Sequence, residues 1–375
     1  MSRHLRHHIS YTILTFLVLS CGSVAKVGDD NSKQHGEIVE EHVDLTPKDD
    51  RDILIICTGD SFTEGMGMKG AGYANYGENP YPAQLCKMLV DAGYKCVTVI
   101  NQGQGGETVP TMAARTGGVD CYIRSDFHFP AYSKRILINS TDDCKFVIAF
   151  DNMKDDKYGV VFTDTKPVTN PIVIDDQQYI MTVEHDEKWT KHYNYIQRTE
   201  GDTTTFIPKG AIIKTNSPKN PDISILYGGL NGSNELSFEK WASLMDACLS
   251  TSGGKGIVMG STHRIWESWL DIEGANREEK YQSYKRKAVA RFGQRFLDLY
   301  ELFFNYATGY CLDAGFFENK TEEELNQIRE LMSNHIVPKE FSYDGAHQGD
   351  VHLNREGYYV VSKLVFDRLI ALGYL

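Results

Sequence analysis

The chain alternates short, continuous apolar runs with segments whose apolar residues recur at helical spacing. The runs lie at 52–57, 95–101, 222–227 and 255–259, and a shorter one lies at 295–300. A continuous apolar run bounded by turn residues is typical of a strand that is buried on both faces of a parallel sheet. We therefore predict four such strands and a shorter fifth.

Apolar residues recur every three or four positions in segments between and after these runs. Capping and terminating residues flank them, as Asn354 and Gly373 do for the last segment. The pattern predicts helices over 80–93, 237–249, 277–292, 321–334 and 355–372. This alternation of strands and helices predicts an α/β protein with a mainly parallel sheet that helices cover.

Residues 120–220 interrupt the alternation. Runs of β-prone residues, separated by turn residues, fill this stretch, and no helical period is sustained in it. Short strands at such spacing predict an inserted, β-rich antiparallel subdomain. Its histidines, His128, His185 and His192, have no spacing that indicates a function.

The first 50 residues have the character of a targeting segment. Residues 1–20 begin with basic residues and no acid, continue with an apolar run at 9–19, and predict a secretory signal peptide. Residues 18–21 resemble a bacterial lipobox, in which Cys21 would be lipidated; an ordinary signal peptide cut nearby is the alternative. The polar stretch 21–50 predicts a flexible tether. We expect an exported protein, anchored by lipid in the bacterial envelope (periplasmic or cell surface).

Composition narrows the range of functions. The chain has 375 residues, 41% of them hydrophobic and 24% charged, which is globular composition and allows two domains or one with an insertion. Its net charge of −12 argues against nucleic acid as a partner. Seven cysteines follow Cys21. The sequence contains no CxxC motif, so it does not predict a zinc ribbon. We expect no metal and no cofactor, and the disulfide pairing and oligomeric state stay open.

Three loops that follow predicted strands contain candidate catalytic residues. Ser61 lies in a glycine-rich turn after the first strand, Gly106 in a loop after the second, and Asn231 in a loop after the third. Ligands of open parallel sheets bind beyond the carboxyl ends of the strands. A serine there can act as a nucleophile, while a glycine N–H and an asparagine amide can stabilise an oxyanion. Taken singly, each residue is equally suited to a turn or a helix cap.

A fourth segment supplies a base and an acid. Asp344, His347, Asp350 and His352 lie within nine residues, just before the last predicted helix. A serine needs a base within hydrogen-bond reach, and a carboxylate on the other ring nitrogen orients that base. Clustered His and Asp can also bind a metal, but adjacent loop residues rarely close a coordination shell alone.

Taken together and in this order, the four segments resemble the motif blocks of the SGNH hydrolases, also called the GDSL esterase/lipase family. The resemblance covers roughly 52–119 and 222–375. It implies a three-layer α/β/α fold with a mainly parallel, flavodoxin-like sheet. It also implies a hydrolase domain over 51–119 and 221–375, with the insertion at 120–220 between the second and third blocks.

The resemblance implies a role for each matching residue. Ser61 is the nucleophile, His352 is the base, and the N–H groups of Ser61 and Gly106 form the oxyanion hole with the side chain of Asn231. Two departures stand out. Gly232 occupies a position where the family usually has Asp, which is mostly a supporting residue.

The second departure concerns the orienting acid. The family usually has Asp three residues before the base, and here Gly349 stands three before His352. The orienting acid is then Asp350 or Asp344. Two further histidines, His263 after the fourth strand and His347, are candidate substrate contacts.

We therefore expect an exported serine esterase that forms an acyl-enzyme on Ser61, acting on a small-molecule or polysaccharide ester. An acetyl ester of a carbohydrate is the leading substrate. A lipase, lysophospholipase or thioesterase is an alternative of the same class. An O-acyltransferase and an inactive carbohydrate-binding module are alternatives from other classes.

Overall fold

The structure is a computed structural model that describes most of the chain from residue 52 onward. The described residues are 52–66, 79–129, 135–150, 153–163, 170–188, 190–198, 204–217, 220–231, 236–262, 276–347 and 351–375. The predicted signal peptide, the tether and Cys21 lie outside them, as do His263 and Asp350.

Strands and helices alternate at the start of the described chain. The elements are β1 (Ile53–Gly59), α1 (Ser61–Glu64), α2 (Tyr81–Asp91), β2 (Val97–Gly103) and α3 (Val109–Thr116). The two strands and α2 agree with the predictions to within a few residues. Helix α3 was not predicted, because its eight residues are too few to show a helical period; Thr108 caps it by accepting the Thr111 N–H.

Antiparallel strands fill the middle of the chain. They are β3 (Cys121–Ile123), β4 (Phe127–Phe129), β5 (Ile136–Ser140), β6 (Phe146–Phe150), β7 (Met153–Gly159), β8 (Ile172–Ile174), β9 (Gln177–His185), β10 (His192–Arg198), β11 (Thr205–Ile207) and β12 (Ile212–Lys214). Eight of them form one sheet in the order β5-β10-β9-β8-β12-β3-β6-β7, and β4 pairs with β11. The predicted β-rich insertion is therefore present. The sequence predicts strands at 146–150, 159–162, 171–174, 179–183, 203–207 and 211–213. The strands β3, β4, β5 and β10 were not predicted, and the run at 159–162 overlaps β7 only at Gly159, the last residue of that strand.

The alternation then resumes. The elements are β13 (Ile223–Tyr227), α4 (Phe238–Ser250), β14 (Gly256–Met259), α5 (Arg277–Phe292), β15 (Phe296–Leu297), α6 (Leu299–Asp313), α7 (Glu322–Ser333) and α8 (Arg355–Ala371). The prediction of a strand over 295–300 is correct only for its centre, because Leu299 already begins α6. The Asp298 side chain accepts the Glu301 N–H and so starts that helix immediately after the strand.

A parallel sheet lies at the centre of this α/β part. Its strand order is β15-β14-β13-β1-β2, and each neighbouring pair is parallel. Counted along the chain, this is the flavodoxin-type order, which reverses between β1 and β13. Helix α8 contacts both α2 and α6, and α4 contacts both α3 and α5. The order makes the carboxyl ends of β1 and β13 the expected place for a ligand.

The core and the surface agree with a folded globular chain. Apolar side chains of both sheets and their helices form one contiguous buried cluster. The seven cysteines after Cys21 have free thiols, and Cys57 is completely buried in β1. Among the described residues, no helix has both the length and the apolar character needed to cross a bilayer.

Candidate active site

Ser61 is the first residue of α1, directly beyond the carboxyl end of β1. Asp60 caps this short helix, and its Oδ1 accepts the Phe62 N–H at 2.9 Å. The turn is so tight that a Cβ on Gly59 would lie 2.4 Å from the carbonyl oxygen of Tyr227, so only glycine fits there. Ser61 is thereby held at the sheet edge, and it is 7% exposed.

His352 meets Ser61 although the two are 291 positions apart: its Nε2 lies 2.8 Å from Ser61 Oγ. Two contacts of the residues that follow His352 hold the chain in place there. Leu353 forms an antiparallel bridge with Ser342. The Asn354 side chain caps α8 by accepting an N–H of its first turn at 3.0 Å. The arrangement is the one that a histidine base and a serine nucleophile require.

Of the two candidate acids, the structure describes Asp344 and not Asp350. Asp344 is exposed, and its Oδ1 accepts the Ser342 hydroxyl at 2.7 Å and the Ala346 N–H at 2.9 Å. Asp350 lies outside the described residues. The choice of the acid that orients His352 stays a prediction.

The loop between β2 and α3 runs beside Ser61. Its Gln104 N–H donates to the Gly59 carbonyl at 2.9 Å, which ties the loop to the turn that holds Ser61. A Cβ on Gly105 would lie 4.0 Å from Ser61 Cβ. Gly106 has a φ of +74°, in the left-handed region that glycine adopts without strain. The backbone of this loop is therefore within van der Waals reach of Ser61.

Asn231 joins the third loop to the second. Its Nδ2 donates to the Glu107 carbonyl at 3.2 Å, and Asn231 forms a parallel bridge with Thr108. The amide nitrogen has a second hydrogen, which is of the kind that an oxyanion hole uses. Ser61, Gly106 and Asn231 thus come from three loops that are joined to one another at the carboxyl ends of β1, β2 and β13.

A buried ion pair supports the same loop, and sequence reasoning missed it. Arg115 and Glu107 have side chains that are 0% and 1% exposed. Arg115 Nε and Nη2 donate to the two oxygens of Glu107 at 2.7 and 2.6 Å, and Nη2 also donates to the Gln102 carbonyl at 2.8 Å. An arginine in the otherwise uncharged helix α3, eight residues after an acid, was the only signal.

Asp60 is the second feature that sequence reasoning missed. It is 1% exposed, and burial raises the pKa of its carboxyl to about 7, with the nearby carboxylates of Glu107 and Glu64 adding to the rise. The hydrogen bond from the Phe62 N–H opposes this rise without cancelling it. The residue before Ser61 therefore has a carboxyl group whose pKa is close to neutral pH.

The inserted module also reaches the site. A Cβ on Gly106 would lie 3.7 Å from Thr163 Cγ2 and 4.0 Å from His192 Cε1. Both residues belong to the β-rich insertion, and neither was a predicted site residue. The antiparallel sheet therefore forms part of the wall beside the glycine loop.

The remaining predicted site residues are less informative. His347 is exposed, and its Nδ1 accepts the Lys339 N–H at 3.2 Å within the same loop. His263 lies outside the described residues. In the part of the chain that the structure describes, no three His, Cys, Asp or Glu side chains are grouped so that they could hold a metal ion.

Comparisons with known proteins add little. No family model matches the chain, and no curated protein is significantly similar to it. An α/β hydrolase enzyme from the metagenome of Lake Arreo, Spain, is 14% identical, with a TM-score of 0.35 over 86% of this chain and 96% of that chain. A peptidoglycan O-acetylesterase is 12% identical, with a TM-score of 0.31 over 86% of this chain and 91% of that chain. At these scores neither likeness carries an argument about activity.

Proposed function

We propose that this chain is a serine ester hydrolase that forms an acyl-enzyme on Ser61. The observation that carries the proposal is the 2.8 Å contact between His352 Nε2 and Ser61 Oγ. A serine hydroxyl is a weak nucleophile until a base takes its proton, and a histidine is the side chain best suited to do so near neutral pH. The donors of the two neighbouring loops add the second requirement, a place for the oxyanion.

The mechanism has two halves. His352 Nε2 takes the Ser61 proton as Ser61 Oγ attacks the ester carbonyl. The resulting oxyanion accepts hydrogen bonds from the N–H groups of Ser61 and Gly106 and from Asn231 Nδ2. His352 then protonates the departing alkoxide and leaves an acyl-enzyme. Water, deprotonated by His352, attacks this ester and releases the carboxylic acid with Ser61 restored.

His352 needs a partner on Nδ1 to perform these steps. A carboxylate there holds the imidazole in the correct tautomer and stabilises its protonated form. Asp350 and Asp344 are the proposed candidates. Loss of this carboxylate would leave a slower Ser–His dyad.

The finer assignment is to the SGNH type, with an acetyl ester of a carbohydrate as substrate. The order of the four motif blocks and the flavodoxin-type order of the parallel strands support the type. The expected export, with a lipid anchor at Cys21, supports an extracellular ester, and the net charge of −12 disfavours polyanionic substrates.

A panel of esters tests the proposal. Nitrophenyl acetate, butyrate and octanoate, an acetylated sugar and a lysolipid are offered to the wild type, Ser61→Ala and His352→Ala. Both variants should lose at least about 10⁴-fold in kcat. Ser333→Ala is the matched control, because that serine is exposed and donates to the Glu330 carbonyl at the end of α7.

Labelling by a fluorophosphonate gives a second measure. The wild type and Ser333→Ala should be labelled, and Ser61→Ala should not. Full esterase activity or full labelling of Ser61→Ala would refute the proposal. A preference for longer acyl chains would indicate a lipase and not a carbohydrate esterase. Acetyl exchange with a sugar in place of acetate release would indicate an acyltransferase.

A further inference from the structure

Two histidines face each other across the end of the β9–β10 hairpin. His185 and His192 are paired residues in its register, and their Nδ1 atoms are 2.7 Å apart. A contact this short between two ring nitrogens needs a hydrogen on one of them and a lone pair on the other. The tautomers of the two imidazoles are therefore linked.

His192 is the member of this pair that adjoins the glycine loop. Its Cε1 is the ring atom 4.0 Å from the position that a Cβ on Gly106 would occupy. Because Cε1 is bonded to both ring nitrogens and Nδ1 is engaged by His185, Nε2 is the ring nitrogen left to meet a ligand on this side. Thr163 lies against the same glycine, with its Cγ2 3.7 Å from that position.

Buried hydrogen bonds fix this corner of the insertion. Asn194, two residues after His192, is 0% exposed. Its Oδ1 accepts the Phe162 N–H at 3.1 Å, and its Nδ2 donates to the Phe162 carbonyl at 2.7 Å. These two hydrogen bonds to the Phe162 backbone set where Thr163, the next residue, lies relative to β10. The His192 N–H also donates to Thr141 Oγ1 at 2.9 Å.

Burial lowers the pKa of His192 from its ordinary value, and the adjacent His185 lowers it further, against an opposing effect of Asp186. The lowered pKa favours the neutral imidazole. In one tautomer Nε2 then donates a hydrogen bond, and in the other it accepts one. A hydroxyl group suits both tautomers because it can donate and accept, whereas a carboxylate or phosphate would require a donor.

We propose that His192 is a specificity-determining contact, which binds a hydroxyl group on the alcohol part of the ester beside the oxyanion hole. The inference rests on the proposed function and narrows its substrate to acyl esters of sugars or other polyols. With an acetyl group as the acyl part, a hydroxyl close to the carbonyl belongs to the alcohol.

Two esters with the same acyl group test the inference. Methyl 6-O-acetyl-glucopyranoside and cyclohexylmethyl acetate have similar rings, but the second lacks the hydroxyls. The measured quantity is the ratio of their kcat/KM values. Asparagine and glutamine are matched replacements, since the amide of Asn reproduces the Nδ1 position and that of Gln the Nε2 position.

His192→Asn should keep the contact with His185 and lower the ratio about 10-fold or more, chiefly through the KM of the glucoside. His192→Gln should retain most of the ratio. His128→Asn is the control from the same insertion, because His128 is exposed on β4, and it should leave the ratio unchanged. An unchanged ratio in His192→Asn overturns the inference, including the case in which kcat/KM falls equally for both esters.

A binding measurement separates this inference from the proposed function. Methyl glucopyranoside is offered to Ser61→Ala and to Ser61→Ala/His192→Asn, and saturation-transfer NMR reports binding without turnover. Binding to the first protein and its loss in the second support the hydroxyl contact even if Ser61 proves not to be the nucleophile. Equal binding to both, or binding to neither, counts against it. Hydrolysis that survives Ser61→Ala counts against the proposed function alone.

Discussion

The parallel and the antiparallel sheets meet at one site but contribute to it differently. The parallel strands β1, β2 and β13 end there, so Ser61, Gly106 and Asn231 are brought together by strand direction itself. Among the described residues of the insertion, Thr163 and His192 are the ones whose side chains lie nearest to Gly106. The difference teaches that the groups proposed to react belong to the α/β part, whereas the insertion supplies a neighbouring wall, which we propose selects the substrate.

The largest expected effect concerns the acid, and it tests whether all reacting groups belong to the α/β part. Asp350 and Asp344 are both candidates for the partner of His352, and Asp350 is the nearer of the two in the sequence. Asp350→Asn should lower kcat by about 10⁴-fold on every ester, because the imidazole would be held in the wrong tautomer. Steady-state kinetics with nitrophenyl acetate measures the loss.

Asp344→Asn is the matched comparison. Asp344 Oδ1 accepts bonds from Ser342 and Ala346, and asparagine keeps an oxygen that can accept both, so this variant should preserve its loop and lower kcat by less. The reverse order of the two losses would assign the role to Asp344. Two small losses would mean that His352 works without an orienting carboxylate.

The buried ion pair lies near the point where the insertion rejoins the α/β part, so replacing one of its members tests how much this junction stabilises the fold. Arg115 pairs with Glu107 below the glycine loop, and the Arg115 carbonyl accepts the hydroxyl of Thr215 at 2.5 Å, where the insertion returns. Arg115→Met leaves a buried carboxylate without its partner and should lower the free energy of unfolding by about 3–5 kcal/mol. Urea denaturation measures this change.

Arg329→Met is the control for that measurement, because Arg329 and its partner Glu322 are exposed on α7. Exposed pairs contribute about 0–1 kcal/mol, so little change is expected. Adding Glu107→Gln to Arg115→Met should restore part of the lost stability. Equal effects of the exposed and the buried replacement would contradict the role given to the pair.

The smallest expected effect is a pH dependence centred on the nucleophile's turn. Asp60 has a pKa of about 7 in the folded chain against an ordinary value of 3.8. The folded state holds this proton more tightly, so its stabilising contribution is complete below pH 4 and is lost as the pH rises to about 7. The loss amounts to about 2–4 kcal/mol.

Asp60→Asn keeps an oxygen for the Phe62 N–H but has no proton to lose. Relative to the wild type, the variant should gain stability steadily between about pH 4 and pH 7 and then stay level. Urea unfolding across this range measures the difference. A difference that does not vary with pH would show that Asp60 does not titrate in this window.

Sequence patterns predicted the parallel sheet better than the antiparallel one. The strands at 52–57, 222–227 and 255–259 are present, because a strand buried on both faces is apolar throughout. The approach of His352 to Ser61 was also predicted, since both belong to ordered motif blocks. Helix α6 was not predicted: its apolar and aromatic residues surround the helix and hide the period.

The contribution of His192 could not have been predicted. Its place depends on the pairing of β10 with β5 and β9, and a shift of one residue would turn its side chain to the other face. That register is set by tertiary contacts, including the bonds between Asn194 and Phe162, which no local pattern encodes. The Arg115–Glu107 pair was missed for a related reason, since burial alone distinguishes it from a surface ion pair.

The pairing of β3 with β12 closes the insertion on itself, with Ile213 opposite Cys121. Leu54 and Asp222, which are 168 positions apart, are hydrogen-bonded where β1 adjoins β13. The entropy lost on closing a loop rises by about 0.6 kcal/mol for each doubling of its length. Once the insertion has folded, the chain between these strands is effectively less than half as long. The added length of the insertion therefore opposes the folding of the central sheet by less than an average hydrogen bond stabilises it, so its length can change with little effect on the α/β framework.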